Sequence, residues 1–343
     1  MVDEKQGSPP LSNPLIIVSH TLPSAWLASL EEHCRLVVGP DPEESAGLSP
    51  ALEARLDEAE GLFTLLTVPV DEALLEKAPR LQVVSNMAVG VDNVDLGACT
   101  RRGIPVGHTP GVLTAGTADL TLALLLAVAR RLPQAAADAR AGHWTTWRPA
   151  GWLGADFDGA TLGIVGLGQI GSAVARRAAG FGVRLVYASR SPKPEIEAEL
   201  DAERLSVTEL LRQSDFVSLH VPLTDETHHL IDEEALVLMK PTAILINMAR
   251  GPVVETGALV RALREGWIAA AGLDVTDPEP LPAGHPLYDL PNCLVLPHIG
   301  SATHDTRRRM AEMAASNLLA GLAGRRLPHC ANPAVYDEGA SGA

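Results

Sequence analysis

Three side chains late in the chain have the types that reduction of a ketone requires. Arg250 follows Ile244-Leu245-Ile246-Asn247-Met248-Ala249, Glu279 lies in Asp274-Val275-Thr276-Asp277-Pro278-Glu279-Pro280-Leu281, and His298 follows Leu294-Val295-Leu296-Pro297. Each comes just after an apolar run that reads as a strand, and open α/β sheets collect their chemistry at the carboxyl ends of strands. Hydride addition to a ketone creates an alkoxide that must be protonated as it forms. A histidine can supply that proton near neutral pH, and a carboxylate beside it would orient the ring and favour its protonated form. An arginine can hold a substrate carboxylate, polarise the ketone, or do both through its forked donors. Each residue alone has an ordinary explanation as a solvated side chain; three at successive strand ends form a pattern.

A partner for that chemistry lies upstream. Gly166-Leu167-Gly168-Gln169-Ile170-Gly171 follows the strand-like Leu162-Gly163-Ile164-Val165 and opens an alanine-rich helix, Ser172 to Ala179. In this setting Gly166 permits the tight turn, Gly168 leaves room for a pyrophosphate, and Gly171 lets helix and strand approach. The helix N-terminus offers free N–H groups and positive dipole to the phosphates. The end of the next strand reads Tyr187-Ala188-Ser189-Arg190-Ser191-Pro192-Lys193. An acid there would bind the ribose hydroxyls of NAD; here Ser189 takes its place, followed by Arg190 and Lys193. A guanidinium can pair with a 2′-phosphate, and Ser189 or Ser191 can donate a hydrogen bond to it. NADP(H) is therefore the expected cofactor, with NAD(H) the second choice.

The elements that must position these groups alternate twice. Expected strands in the first part are Leu15 to Ser19, Arg35 to Val38, Gly61 to Leu66, Leu81 to Ser85 and Ile104 to Val106, with helices such as Ser24 to Glu32 and Asp71 to Ala78 between them. A long apolar helix, Thr117 to Arg131, is expected to end at Pro133, with Asp119, Arg130 and Arg131 as solvated residues about it. The second part offers six strands: Thr161 to Val165, Arg184 to Ala188, Asp215 to His220, Ala243 to Asn247, Ala270 to Asp274 and Cys293 to Leu296. A final helix, Thr303 to Gly321, is expected to return to the first domain. The fold class is thus α/β, with two Rossmann-like, doubly wound parallel-sheet domains and an active-site cleft between them. Residues 1–113 with 303–343 form the discontinuous substrate-binding domain, and 114–302 the dinucleotide-binding domain. The ends, to about Asn13 and from about Tyr336, are small, polar and expected to be disordered.

Composition narrows the partners. The 343 residues are 46% hydrophobic, and 27 Lys and Arg against 42 Asp and Glu give a formal net charge of -15, which disfavours nucleic acid and anionic membranes. The start carries Asp3 and Glu4 and no apolar core, so no secretory signal is expected, and the longest apolar run, Leu120 to Ala129, is short for a membrane span. Cys34, Cys99, Cys293 and Cys330 form no CxxC pair, which fits a reducing, cytoplasmic setting. His228-His229 and His298/His304 lack metal-site spacing, so no metal is expected, and neither GxSxG nor a P-loop is present.

With these residues in place, the chain resembles the D-isomer-specific 2-hydroxyacid dehydrogenases from about Pro14 to Leu327, most closely their glyoxylate/hydroxypyruvate reductase branch. The likeness rests on Met87-Ala88-Val89-Gly90-Val91-Asp92, Gly142-His143-Trp144-Thr145-Thr146-Trp147, the run Gly272 to Pro282, and Leu296-Pro297-His298-Ile299-Gly300-Ser301-Ala302-Thr303-His304. It implies that His298 is the acid/base, Glu279 its partner and Arg250 the substrate anchor. Backbone N–H groups near Val89 and Gly90 would bind the substrate carboxylate, with Asp274 near the site and Trp147 reaching a partner's site. Gln169, Ile170, Pro222, Met248, Asp274 and Gly300 join the glycines as cofactor contacts, and the helix at Thr117 to Arg131 would serve a homodimer interface. The resemblance leaves open a 2-ketogluconate reductase, a D-lactate dehydrogenase or a broad 2-keto acid reductase. A phosphoglycerate dehydrogenase fits less well for want of an extra domain, and a formate dehydrogenase because Glu279 supplies an acid. An NAD(P)-sensing, corepressor-like binding protein is the reading from another class, separable by turnover of NADPH with keto acids.

Overall fold

Short runs of valine, isoleucine and leucine, apolar on both faces, become the inner strands of two parallel sheets, as burial beneath helices on either side requires. The computed structural model describes residues 13–41 and 47–337. They fall into two compact units, one drawn from Met1–Val112 and His304–Ala343, the other spanning Leu113–Thr303.

The first unit carries β1 (Leu15–Val18), β2 (Arg35–Val38), β3 (Gly61–Thr64), β4 (Val83–Asn86) and β5 (Val106–Gly107). They lie in the order β2-β1-β3-β4-β5, every pair parallel, which is the shorter of the two common doubly wound orders. The helix His304–Leu322 completes this unit late in the chain. Its Met310, Ala311, Ala314, Ala315 and Leu318 are buried, and it packs on β3, β4 and the helix Ser24–Glu31. Close approach depends on small residues beneath it: a Cβ on Gly107 would come within 2.6 Å of Asn317. Leu318 is fully buried, and truncating such a leucine to alanine costs about 2–5 kcal/mol. Beyond the helix, Cys330 pairs with Gly107 in an isolated backbone bridge, and Asn332 accepts the Val106 N–H while donating to the Ile104 carbonyl.

The second unit holds β6 (Thr161–Val165), β7 (Arg184–Ala188), β8 (Glu203–Arg204), β9 (Phe216–Leu219), β10 (Ile244–Asn247), β11 (Ala270–Leu273) and β12 (Cys293–Val295). The order β12-β11-β10-β9-β6-β7-β8 reverses direction at β6, so the crevice for a dinucleotide lies at the carboxyl ends of β6 and β9. β8 is a seventh strand that the sequence pattern does not reveal. Its two residues are both exposed, so no hydrophobic alternation marks them.

Several boundaries differ for physical reasons. The apolar helix runs Thr114–Ala129, and Pro133 opens a second helix, Leu132–Arg140, where its missing N–H costs nothing. Arg131, left-handed at φ 53°, makes the break. Asp119 is not merely solvated, since its carboxylate takes the Arg177 Nε at 2.6 Å, and the Arg131 guanidinium lies 5.1 Å from the Trp152 ring centroid. Tyr336, at the start of the expected disordered tail, closes a short 3-10 helix and accepts the Leu327 N–H at 2.9 Å. The rest of that expectation, residues 1–12 and 338–343, lies outside the described residues. Among the described residues no single helix is long and apolar enough to cross a membrane.

Candidate active site

Adjacent parallel strands carry their carboxyl ends side by side, so β10, β11 and β12 deliver three loops to one edge of the second unit. The loop after β10 bears Arg250. Buried Asn247 ties it down, donating from Nδ2 to the Arg250 carbonyl at 2.9 Å and accepting the Ala249 N–H at 3.0 Å. Gly251 then lies so close to the next loop that a Cβ would sit 1.9 Å from the Thr276 carbonyl oxygen. Only glycine allows that approach, and it brings Arg250 near enough for its charge to act on Glu279. Arg250 also donates from Nη1 to the Ala249 carbonyl at 2.9 Å.

The loop after β11 holds Asp274 and Glu279, and the turn after β12 holds His298. Nδ1 of His298 lies 2.6 Å from Oε1 of Glu279, while Oε2 accepts the Thr276 N–H at 3.1 Å. A carboxylate only accepts, so Nδ1 carries the proton of this bond and Nε2 is left for a reacting group. Burial alone would raise the Glu279 pKa; the hydrogen bond and charge of His298, the Thr276 N–H and Arg250 outweigh it and hold the carboxyl below its usual range. About a quarter of the His298 side chain and a third of that of Glu279 remain exposed (26% and 32%), so a small molecule can reach the pair.

His298 sits at φ +52°, a strained conformation for a residue with a Cβ. Asp274 supports it. Its carbonyl accepts the His298 N–H at 2.9 Å, and its two carboxylate oxygens take the Ile299 and Gly300 N–H groups, each at 2.8 Å. Burial pushes the Asp274 carboxyl up, against the pull of those N–H groups and the His298 charge. Both oxygens thus face the turn, so Asp274 acts through the placement of His298. Gly300 is fixed from its other side by Thr117, whose hydroxyl donates to the Gly300 carbonyl at 3.2 Å.

The glycine loop forms a cradle at the switch point. Gly166 has φ +97°, and a Cβ there would collide with the His220–Val221 peptide at 2.7–2.8 Å. A Cβ on Gly171 would come within 2.2 Å of the Gly166 carbonyl, whereas one on Gly168 would meet nothing within 4 Å. Gly166 and Gly171 are therefore structural, and Gly168 opens on free space at the N-terminus of the helix Gln169–Ala179, as a pyrophosphate needs. Gln169 is exposed and Ile170 half-buried at that end; Met248 is buried after β10 and Pro222 exposed after β9. His220 lies behind the loop: Ser218 Oγ is 2.8 Å from its Nε2, its Nδ1 is buried without a partner, and burial drives its pKa down to about 3, so it stays neutral.

After β7, Ser189 donates its hydroxyl to the Ser191 carbonyl at 2.5 Å, while Arg190 and Ser191 are exposed. Lys193 caps the next helix and donates its N–H to the buried Tyr187 hydroxyl at 2.8 Å. Arg204, on β8, reaches the same loop, donating from Nη2 to the carbonyls of Ser189 and Arg190 at 3.0 and 3.1 Å. Sequence reading misses it because it lies two elements downstream. Asn247 carries a signal that could have found it, as a polar residue at the end of an otherwise apolar strand.

In the first unit, Val89 and Gly90 follow β4. The Val89 carbonyl is held by His108 Nδ1 at 2.9 Å and the Ala88 carbonyl by the Thr109 N–H at 2.8 Å. Asn86 Nδ2 donates to the Gly90 carbonyl at 3.1 Å. With the carbonyls engaged, the loop's N–H groups can serve an anion. Trp147 and Trp144 stand 81% and 74% exposed on the arm after the helix Leu132–Arg140.

A dinucleotide cradle beside an imidazole–carboxylate pair and an arginine defines a nicotinamide-dependent oxidoreductase acting on a small polar ketone or alcohol. Residues 122–300 match the family described as D-isomer specific 2-hydroxyacid dehydrogenase, NAD binding domain. A glyoxylate reductase of Thermococcus litoralis is 48% identical over 326 residues, 94% of this chain and 98% of its own length. A solved structure from Thermus thermophilus has 51% identity and a TM-score of 0.85, covering 92% of this chain and 99% of its own. The NADPH-dependent glyoxylate/hydroxypyruvate reductase of Sinorhizobium meliloti, solved with NADP and malonate, has 33% identity and a TM-score of 0.81 over 93% of this chain and 97% of its own. The chain belongs to the D-isomer-specific 2-hydroxyacid dehydrogenase family.

Proposed function

We propose that the chain reduces glyoxylate and hydroxypyruvate to glycolate and D-glycerate, using NADPH in preference to NADH. The observation that carries the reaction is the 2.6 Å His298–Glu279 pair at the strand ends, with Arg250 beside it. The substrates follow from the relatives, one named for glyoxylate and one for glyoxylate and hydroxypyruvate. NADPH preference is supported by Ser189 and Arg190 where an NAD-binding acid would stand.

When bound, the reduced nicotinamide would supply the hydride to the carbonyl carbon. As negative charge grows on the oxygen, His298 gives up its Nε2 proton, while Nδ1 stays hydrogen-bonded to Glu279, which holds the ring in place. Arg250 would direct its donors at the carbonyl and carboxylate oxygens of the substrate. Gly168 and the N-terminus of the helix Gln169–Ala179 would hold the pyrophosphate, with Gly166 and Gly171 shaping the turn.

The protein is further read as a homodimer. Leu132, Trp144, Trp147 and Leu153 are all more than half exposed within one stretch, and the helix Leu132–Arg140 buries no residue. That much apolar surface favours a second copy; light scattering should give twice the monomer mass.

The deciding assay follows NADPH and NADH oxidation with glyoxylate, hydroxypyruvate, pyruvate and 2-ketogluconate, for the wild type and His298→Ala. Glyoxylate and hydroxypyruvate should be the best substrates, and the variant should lose about a hundredfold or more. Failure to reduce any keto acid, or a variant that keeps more than a tenth of the activity, refutes the assignment.

A further inference from the structure

The NADPH reading leaves a charge imbalance at the loop after β7. A phosphomonoester carries about -1.5 to -2 near neutral pH, more than one guanidinium can answer. Arg190 is part of that answer, but its positive charge already acts on Glu226, helping hold that carboxyl low behind the larger effect of the Thr224 hydrogen bond. The Ser189 hydroxyl proton is engaged with the Ser191 carbonyl.

A second cation stands at the same place. The β7–β8 register sets Arg204 beside Tyr187, two residues before Ser189. From there Nη2 is held by the Ser189 and Arg190 carbonyls, leaving Nε and Nη1 uncommitted among the described residues. The neighbouring acids are already engaged: Glu199 with Arg176, Glu203 with Arg184 and Glu197 with the Tyr187 hydroxyl. The guanidinium is therefore anchored by neutral carbonyls and keeps its full charge at the loop, as suits an anion absent from the protein itself.

We propose that Arg204 is a specificity-determining residue for NADPH, supplying a second guanidinium for the 2′-phosphate and clamping the turn that carries Arg190. The inference rests on the NADPH reading and deepens it.

The test compares wild type, Arg190→Ala, Arg204→Ala and Arg204→Lys. Steady-state kinetics with both nucleotides are paired with calorimetric titration of adenosine 2′,5′-bisphosphate and adenosine 5′-monophosphate. Arg204→Ala should lower the NADPH/NADH ratio of kcat/KM about tenfold, the scale of one lost charge-assisted hydrogen bond. It should weaken the bisphosphate by a similar factor relative to the monophosphate, with Arg204→Lys in between because an ammonium keeps the charge but lacks the fork. A wild type that turns over NADH as well as NADPH overturns the NADPH reading and this inference together. If the wild type prefers NADPH and Arg190→Ala reduces that preference while Arg204→Ala does not, only the Arg204 inference fails. Equal losses with both nucleotides reduce Arg204 to a structural brace and also overturn it.

Discussion

Replacing Glu279 by Gln removes one charge from the reacting centre while keeping its shape. In the wild type the carboxylate accepts His298 Nδ1 at 2.6 Å and the Thr276 N–H at 3.1 Å. A hydrogen bond to a charged partner contributes about 1.5–3 kcal/mol. Solvent reaches about a quarter to a third of these two side chains, which argues for the lower half of that range. At 1.4 kcal/mol per tenfold, about 1.5–2 kcal/mol is roughly a 10–30-fold loss in kcat/KM for glyoxylate at neutral pH. The charged imidazole in turn helps hold the Glu279 carboxyl below its usual range. The assay is NADPH oxidation at neutral pH, with Tm measured alongside to exclude unfolding. A variant within threefold of wild type would show that Glu279 does not support the proton donor.

Glycine positions in the cradle should separate folding from binding. Gly171→Ala forces a Cβ to 2.2 Å from the Gly166 carbonyl and should lower Tm by several degrees, whereas Gly168→Ala meets nothing and should leave Tm within about a degree while raising KM for NADPH about tenfold or more. Thermal melts and nucleotide titrations check both; equal Tm losses would refute the division. The pH dependence of stability also follows from Glu279. A folded pKa held below the ordinary 4.5 contributes stability that is complete above that value and is lost as pH falls through the folded pKa. The Tm advantage of wild type over Glu279→Gln should therefore shrink between pH 5 and 3, and an advantage that widened on acidification would contradict the shift.

The sequence makes the glycine cradle, most strand positions and the Arg250, Glu279, His298 order legible, because each depends on local pattern: an apolar run followed by a residue of the right chemistry. What escapes it depends on contacts across the sheet. Arg204 joins Ser189 and Arg190 only through the β7–β8 register, and β8 has two exposed residues and hence no pattern to read. Ser189 looks like a phosphate donor until its hydroxyl is found turned to the Ser191 carbonyl. Asp274 reads as a ligand-facing acid, but both of its oxygens are taken by the turn that carries His298. Pro133 is ambiguous for a different reason, since proline stops one helix by the same geometry that starts another.

The late helix His304–Leu322 bears on the order in which the chain can mature. The second unit is continuous from Leu113 to Thr303, so every strand it needs has been synthesised before residue 304 is added. The first unit emerges earlier yet lacks the helix that covers β3 and β4, and lacks Asn332, which secures the edge at β5. The half synthesised first is thus the half finished last, with its sheet face exposed throughout elongation. A stop codon just after residue 303 would spare the nucleotide cradle and His298 but leave the first sheet uncovered, so that nucleotide binding would outlast catalysis in a shortened chain.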